Sequence, residues 1–227
     1  MIYVMSDLHG CFDRYRAMLD KINFNAEDTL YILGDVVDRG EDGIKIILDM
    51  MSRPNVIPVI GNHEYMAYKV LKSLKTEVKE DNYESLSGDY FLWMQDGGRP
   101  TLEAFLKLGE EDRERVLEYI GEFDLYEELA VGDNKFLLVH GGLGNFNKEK
   151  ALDEYDIHDL IWERPDYDAV YFDDKFLVTG HTPTLMIDPN YAGKIYKKHN
   201  HIAIDCGAVF DIALGSVCLD TFEEFYI

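Results

Sequence analysis

Five short apolar runs, each followed by a polar residue that could bind a metal ion, constrain the fold of this chain most strongly. The polar residues at their ends are Asp7, Asp35, Asn62, His140 and His181. Short, continuous apolar runs are typical of strands that are buried on both faces of a sheet. Open α/β sheets place their binding sites in the loops beyond the carboxyl ends of the strands. The pattern therefore predicts one cleft at which these loops meet.

The segments between these runs predict an α/β fold. Apolar residues recur with helical spacing over residues 12–22 and 44–51, and the chain is mostly helical from about residue 64 to 120. Gly88 and Gly97-Gly98 are expected to interrupt this helical segment. After His181 the pattern changes to short antiparallel strands, with a turn at His199-Asn200. We expect one domain over residues 1–227, a four-layer sandwich of two mixed β-sheets flanked by helices, with residues 64–120 as a helical cap beside the cleft.

Composition and charge exclude several classes of partner. The chain of 227 residues is 47% hydrophobic, so it can bury a core, and its formal net charge of −22 would repel nucleic acids and anionic membranes alike. The three cysteines show no disulfide or thiolate metal pattern, and no apolar run approaches the length of a transmembrane helix. We therefore expect a cytoplasmic protein that binds neither nucleic acid nor membrane.

The polar residues at the strand ends, together with His9, form two predicted ligand sets. Asp7-Leu8-His9 lets a carboxylate and an imidazole reach one ion from a single loop, and the carboxylate of Asp35 can bridge two ions. A lone Asp-x-His or Gly-Asn-His is a weak signal, but the ordered series of loops favours a metal site over coincidence. The first set is Asp7, His9 and Asp35, and the second is Asp35, Asn62, His140 and His181.

The ligand types are compatible with several divalent metals, but they indicate the kind of reaction that the site supports. Oxygen and nitrogen ligands without thiolates suit several divalent ions. We expect two of them, with manganese (Mn²⁺) preferred and Fe, Zn, Ni or Co as alternatives. Two ions bridged by a carboxylate lie roughly 3.5–4 Å apart, a separation that suits the hydrolysis of phosphoesters.

Five motifs in this order resemble the signature of the calcineurin-like metallophosphoesterases. Within that superfamily, the forms GDxxDRG and GNHE are similar to the phosphoprotein phosphatase group, which includes bacterial and phage serine/threonine phosphatases and symmetric diadenosine tetraphosphate hydrolases. The resemblance runs from Asp7 to about Gly207 and is more specific for the superfamily than for the substrate. The motifs are Asp7-Leu8-His9-Gly10, Gly34-Asp35-Val36-Val37-Asp38-Arg39-Gly40, Gly61-Asn62-His63-Glu64, His140-Gly141-Gly142 and Gly180-His181-Thr182.

Residues beside the ligands are predicted to act on the substrate. His63 follows Asn62, so a protonated imidazole there could donate to the leaving oxygen, and Asp38 would accept from its other ring nitrogen. The resemblance implies the same two roles, and it implies that Arg39 binds the substrate phosphate. Arg164, in the segment Trp162-Glu163-Arg164, resembles a phosphate-binding arginine of bacterial and phage relatives.

The chain also departs from the family pattern. Many relatives carry an arginine where this chain has Ile60, and we expect Arg99 to replace it in binding phosphate. The segment from Trp93 to Arg99 resembles the W-x-x-N-G-G motif of bacterial relatives, with Asp96 in place of Asn. A negative charge there would disfavour heavily phosphorylated substrates.

Other polar residues receive structural interpretations. Glu64 is expected to orient its loop, and Asp205 is expected to support the site without reacting. His158, His199 and His201 lie outside the motifs, and we expect them at the surface or in turns.

The resemblance implies a hydrolase in which a metal-bridging hydroxide attacks phosphorus directly. We expect a phosphoric monoester hydrolase similar to serine/threonine protein phosphatases, acting on a phosphorylated protein or a small phosphoester. The alternative is a symmetric dinucleoside (diadenosine) tetraphosphate hydrolase or another nucleotide phosphoesterase. A third interpretation, a non-catalytic metal-binding domain, is disfavoured because His63, Asp38 and Arg39 are all present. The sequence leaves the oligomeric state open.

Overall fold

The computed structural model describes residues 1–74 and 83–227. In chain order its strands and longer helices are β1 (Ile2–Met5), α1 (Phe12–Lys21), β2 (Thr29–Leu33), α2 (Gly43–Met51), β3 (Val56–Val59), α3 (Asn62–Ser73), α4 (Tyr83–Gln95), α5 (Arg99–Lys107), α6 (Glu110–Gly121), β4 (Tyr126–Val131), β5 (Asn134–Val139), α7 (Ile157–Ile161), β6 (Phe176–Thr179), α8 (Thr184–Ile187), β7 (Tyr196–Lys198), β8 (His201–Ala203), β9 (Gly215–Cys218) and β10 (Glu224–Tyr226).

The strands form two mixed sheets. The first has the order β10-β9-β1-β2-β3, in which β1, β2 and β3 are parallel and the two C-terminal strands are antiparallel. The second has the order β4-β5-β6-β8-β7, in which β5, β6 and β8 are parallel. The predicted α/β fold with two mixed sheets is therefore confirmed.

One apolar cluster lies between the sheets. It takes side chains from central strands of both sheets, including Val4, Leu33, Phe136, Val178 and Val217. A second cluster joins the opposite faces of these strands to the helices, because neighbouring residues of a strand point to opposite faces. Burial on both faces explains why the strands appear in the sequence as continuous apolar runs.

The helical segment after β3 largely follows its prediction. Helices α3 to α6 occupy the described part of residues 62–121, and Gly97-Gly98 separates α4 from α5 as expected. The predicted interruption at Gly88 is wrong, because Gly88 lies inside α4. A helix tolerates an exposed glycine at a cost of about 1 kcal/mol. The part of the predicted cap at 75–82 lies outside the described residues.

The C-terminal part contains one corrected residue. The turn at His199-Asn200 joins β7 and β8, and both residues have positive φ, as a two-residue hairpin turn requires. His201 was expected at the surface or in a turn, but it is a strand residue that is only 1% exposed. Its ring stacks on Tyr167 at 5.0 Å, and its Nε2 lies 2.9 Å from the Thr179 hydroxyl. Across the described residues we find no helix with the length and apolar character needed to span a bilayer.

Candidate metal centre

The predicted ligand loops leave the carboxyl ends of strands in both sheets. Asp7 and Asp35 lie two residues beyond β1 and β2, and Asn62 begins α3 after β3. In the second sheet, His140 directly follows β5 and His181 lies two residues beyond β6. The backbone N–H of His181 donates to Asp7 Oδ2 at 3.0 Å, which links the two sheets at this point. The topology thus brings the five loops to one place.

The backbone of these loops is unusual. A left-handed φ is uncommon for residues other than glycine, and such residues cluster at functional sites. Among the predicted site residues with positive φ, the angles are 53° at Asp7, 39° at His9, 53° at Asp35, 70° at Asp38, 65° at Arg39 and 61° at His181. The strand ends therefore turn sharply and direct these side chains into the cleft.

Asp35 lies at the middle of the cluster and is only 2% exposed. Its Oδ2 is 3.6 Å from His9 Nε2, and its Oδ1 is 3.3 Å from His140 Nε2. One group of potential ligands contains His9, Asp35 and His63, and a second contains Asp35, His140 and His181. Each oxygen of Asp35 thus faces a different group, which is the arrangement that a bridging carboxylate needs.

The hydrogen bonds of the imidazoles define which nitrogen faces the cluster. His9 Nδ1 donates to the carbonyl of Val37 at 2.9 Å, and His140 Nδ1 donates to the carbonyl of Leu33 at 2.7 Å. In a neutral imidazole the Nε2 atom then carries the lone pair. His140 Nε2 lies 3.0 Å from Asn62 Oδ1, so a protonated ring donates to this oxygen, and a bound cation would take the place of that proton between the two atoms. This donor set fits a divalent cation.

Burial and charge set the protonation of these groups. Burial lowers the pKa of His9 and that of His181 to about 3, so both imidazoles are neutral. Burial would raise the pKa of Asp35, but the charge of His140 and other imidazoles outweighs it and holds this pKa well below its usual value. Burial also disfavours the charged form of His140, but the charge of Asp35 outweighs burial and raises the pKa of His140 to about 10. Asp35 is therefore ionised at neutral pH.

Asp7 lies at the edge of the cluster. Both oxygens of its carboxylate accept from the backbone N–H of His181, at 3.0 and 3.2 Å. Burial, and then the charge of Asp205, hold the pKa of Asp7 well above its usual value. Two carboxyl groups in one buried region need a positive charge nearby to stay ionised together. Asp205 is itself buried, and its Oδ1 accepts from the backbone N–H of Gly207 at 2.9 Å.

His63 and Asp38 form a buried pair beside the ligands. His63 Nδ1 donates to Asp38 Oδ2 at 2.7 Å, as predicted for a histidine of fixed tautomer. Burial would lower the pKa of His63, but Asp35 and Asp38 outweigh it and raise this pKa. Two contacts of Asp38 were not foreseen: its Oδ2 accepts from Trp93 Nε1 at 2.7 Å, and its backbone N–H donates to Thr101 Oγ1 at 2.8 Å.

The guanidinium of Arg39 lies between the two imidazoles of the first group. Its Nη1 donates to His9 Nε2 at 2.9 Å, and its Nη2 donates to His63 Nε2 at 3.0 Å. Both nitrogens thus present lone pairs to a positive charge, as ligands of a cation do. His63 Nε2 is also 4.0 Å from Asp35 Oδ2, so distance alone allows His63 to act as a ligand or as a proton donor.

Glu64 ties the loop of Asp35 to the start of α3. Its buried carboxylate accepts four backbone N–H bonds between 2.7 and 3.1 Å, from Asp35, Val36, Val37 and Gly61. The four donor residues are buried, as Glu64 is, so these N–H groups cannot bond to bulk water instead. The predicted role of Glu64 in orienting the loop is confirmed.

The remaining arginines differ in position. Arg164 is exposed, its Nη1 lies 3.9 Å from Met186 Sδ, and its charge contributes, after burial and His140, to the low pKa of His181. Arg99 was expected to bind phosphate, but the structure does not bring it to the cluster. Its side chain is 81% exposed and pairs with Glu103 one helical turn along α5 at 2.7 Å. An arginine at the start of a helix reaches an acid four residues on more readily than a distant cleft.

Comparison with known proteins agrees with this geometry. The model of the calcineurin-like phosphoesterase family matches residues 1–207. The chain therefore belongs to the calcineurin-like phosphoesterase family, which confirms the resemblance found in the sequence. A solved structure named as a candidate diadenosine tetraphosphatase superposes with a TM-score of 0.69 at 16% identity, covering 100% of this chain and 92% of that one, and it supports the fold alone.

Two relatives carry different functional names. The symmetrical bis(5'-nucleosyl)-tetraphosphatase of Wigglesworthia glossinidia brevipalpis is 39% identical over 82 residues, which cover 34% of this chain and 30% of that protein. The serine/threonine-protein phosphatase 2 of Salmonella typhimurium is 26% identical over 167 residues, which cover 72% of this chain and 67% of that protein. This chain thus spans less than a third of the first relative's length.

Proposed function

We propose that this chain is a metal-dependent phosphoric monoester hydrolase of the serine/threonine protein phosphatase kind. The observation that carries the proposal is the position of Asp35, whose two oxygens face different groups of imidazoles beside the His63–Asp38 pair. A non-catalytic metal-binding domain would not require a histidine whose tautomer is fixed by a buried aspartate, whereas a general acid does.

The proposed ligands are the six predicted from the sequence. Two divalent ions, with manganese preferred, would be held here, and Asp35 would contribute to both ligand sets. When bound, such ions supply positive charge at phosphorus and lower the pKa of a bound water towards ~7. Asp7, His9 and Asp35 would hold one ion, and Asp35, Asn62, His140 and His181 would hold the other.

The protein's own side chains then position and protonate the substrate. Arg39 binds the phosphate oxygens, since its planar guanidinium can donate two parallel hydrogen bonds. His63 donates the proton that the leaving oxygen needs, and Asp38 holds the imidazole in position. We infer that Arg164, which is exposed and whose charge lowers the pKa of His181, contacts the phosphate from the side of the second group.

Arg39 and His63 exchange partners during binding in this proposal. A hydrogen bond from Arg39 Nη2 to His63 Nε2 needs a lone pair on that nitrogen, and therefore a neutral imidazole. When Arg39 turns to the phosphate, Nε2 becomes free to take a proton. Asp35 and Asp38 favour that proton, because they raise the pKa of His63. Substrate binding would thus allow His63 to take up the proton that it later donates to the leaving oxygen.

A nucleotide phosphoesterase is the second candidate. It is supported by relatives named symmetrical bis(5'-nucleosyl)-tetraphosphatase, which reach 39% identity. The protein phosphatase proposal is supported by a match of 26% identity over 72% of this chain. We also infer a cytoplasmic location, which is supported by free cysteines at positions 11, 206 and 218.

The test combines activity with metal binding. Protein supplied with manganese is assayed on an aryl phosphate, a phosphothreonine peptide and diadenosine tetraphosphate, and a chelator should abolish the activity. In parallel, the shift in melting temperature with manganese is measured for the wild type, for Asp35→Asn and for the exposed control Asp133→Asn. At 100 times the dissociation constant, bound metal stabilises by about 2.7 kcal/mol.

We expect the shift in the wild type and in Asp133→Asn but not in Asp35→Asn. Metal-dependent stabilisation without hydrolysis of any of the three substrates would instead support the non-catalytic interpretation. An undiminished shift in Asp35→Asn would contradict the bridging role.

A further inference from the structure

We infer that Asp96 selects substrates by the charge of the leaving group, excluding those whose leaving oxygen belongs to a phosphate. The inference rests on the proposed function, because it assumes that His63 protonates the leaving oxygen. It assigns the site to phosphoesters of alcohols and phenols rather than to phosphoanhydrides.

The position of Asp96 is the first argument. Its Oδ2 lies 3.9 Å from His63 Nε2, and its Oδ1 lies 3.8 Å from Arg39 Nη2. A general acid must lie within hydrogen-bond reach of the oxygen that it protonates. The leaving oxygen therefore comes to His63 Nε2, and the atoms attached to that oxygen come close to the Asp96 carboxylate, which is 44% exposed.

The loop that carries Asp96 is held firmly. The backbone N–H of Arg39 donates to the carbonyl of Gly97 at 2.9 Å. Gly97 packs so closely on Arg39 that an added Cβ would lie 2.9 Å from Arg39 Cγ. Gly98 in turn lies against the ring of Trp93, whose Nε1 donates to Asp38. Asp96 thus moves with the catalytic loop and cannot easily withdraw.

The charges then discriminate between leaving groups. Hydrolysis forms a bond from phosphorus to the oxygen of water and breaks the bond to the leaving oxygen, which keeps the electron pair and takes a proton from His63. Water thereby contributes a hydroxyl to phosphorus and, on balance, a proton to the leaving group. An alcohol or phenol leaves as a neutral molecule beside Asp96, whereas a phosphate leaves as an anion.

Arg39 does not cancel this repulsion. In the proposed complex its guanidinium is neutralised by the phosphoryl group under attack, which leaves the charge of Asp96 to act on the leaving group. Two unit charges about 6 Å apart at an effective dielectric constant of about 20 repel strongly enough to change a rate by roughly a hundredfold. Even with screening by salt, this is enough for at least about a tenfold discrimination.

The experiment compares two substrates that transfer a terminal phosphoryl group: an aryl phosphate and a nucleoside diphosphate. The readout is the ratio of their kcat/KM values. We expect Asp96→Asn to raise the ratio of diphosphate to aryl phosphate by at least about tenfold. Asp133→Asn removes the same charge at an exposed turn, and we expect it to leave the ratio within about twofold.

A second measurement needs no variant. Raising the salt concentration from roughly 0.05 to 0.5 M should raise the same ratio in the wild type, because it screens the repulsion. An unchanged ratio in both experiments, with the aryl phosphate hydrolysed normally, would overturn the inference and leave the proposed function standing. If the wild type hydrolyses neither the aryl phosphate nor the nucleoside diphosphate, the proposed function itself is contradicted.

Discussion

Trp93 is the residue whose replacement tests the architecture of the site most directly. It is completely buried, its Nε1 donates to Asp38 Oδ2, and Gly98 packs against its ring. The same Asp38 oxygen accepts from His63. In Trp93→Phe the apolar ring remains, but the hydrogen bond is lost and part of the space is vacated. The substitution therefore removes one hydrogen bond to Asp38 but leaves the side chains of Asp38 and His63 unchanged.

The magnitude follows from two contributions. A hydrogen bond to an ionised group contributes about 1.5–3 kcal/mol to stability. Asp38 Oδ1 is already buried without a hydrogen-bond partner in the part of the chain that the structure describes, so a carboxylate that lacks one partner would lose another. The smaller ring adds roughly 1 kcal/mol for the unfilled volume. We expect a total loss of about 2–4 kcal/mol in the free energy of unfolding.

Urea unfolding in the presence of a chelator measures this loss, and kcat/KM with manganese measures its effect on catalysis. Because His63 is less well held, we expect kcat/KM to fall by about tenfold. The chain has one other tryptophan, Trp162, which is half-buried and stacks on His158 at 4.5 Å. Trp162→Phe keeps the stacking and should cost less than about 1 kcal/mol. Equal losses in the two variants would refute this reasoning.

Two further predictions concern the backbone and pH. Gly97→Ala forces a Cβ to within 2.9 Å of Arg39 Cγ at a φ of +99°, whereas Gly132→Ala has a φ of +58° and open space. We expect Gly132→Ala to lower the free energy of unfolding by about 1 kcal/mol. Gly97→Ala should lower it by at least about 2 kcal/mol and also reduce activity. Similar losses in the two variants would contradict the close contact between Gly97 and Arg39. Burial lowers the pKa of His201 to about 4, so its contribution to stability is complete above pH 6.5 and is lost as the pH falls towards 4, by about 3 kcal/mol in total. His201→Gln should lose less stability between pH 7.5 and 5 than the wild type, and identical acid sensitivity would show that His201 does not titrate in this way.

The positions of the predicted ligands could be inferred from the sequence because their signals are local. Asp35, His140 and His181 each follow an apolar run by one or two residues, so chain order alone places them at the ends of buried strands. Parallel pairing of β1 with β2 and of β5 with β6 then brings those ends together. Nothing in this inference requires knowledge of contacts between distant segments.

The residues that were missed or misplaced depend on such contacts. Trp93 is 55 positions and Thr101 is 63 positions from Asp38, and no local pattern connects them. His201 is buried because Tyr167 covers its ring, which a pattern of alternating residues does not reveal. Arg99 had a suitable charge and a suitable motif, but its position at the start of α5 directs it to Glu103.

The hydrogen bonds of the buried Glu64 stabilise a loop that contains several left-handed residues. Each left-handed residue outside glycine costs about 1 kcal/mol or more, and the Asp35–Arg39 loop contains three of them, at positions 35, 38 and 39. Glu64 accepts the N–H groups of Asp35, Val36 and Val37, and hydrogen bonds to a charged group contribute about 1.5–3 kcal/mol each. These bonds offset the strain of the loop on the protein side. The fold itself therefore holds the loop of the predicted ligand Asp35 in position, and cation binding need not supply the energy that shapes this loop.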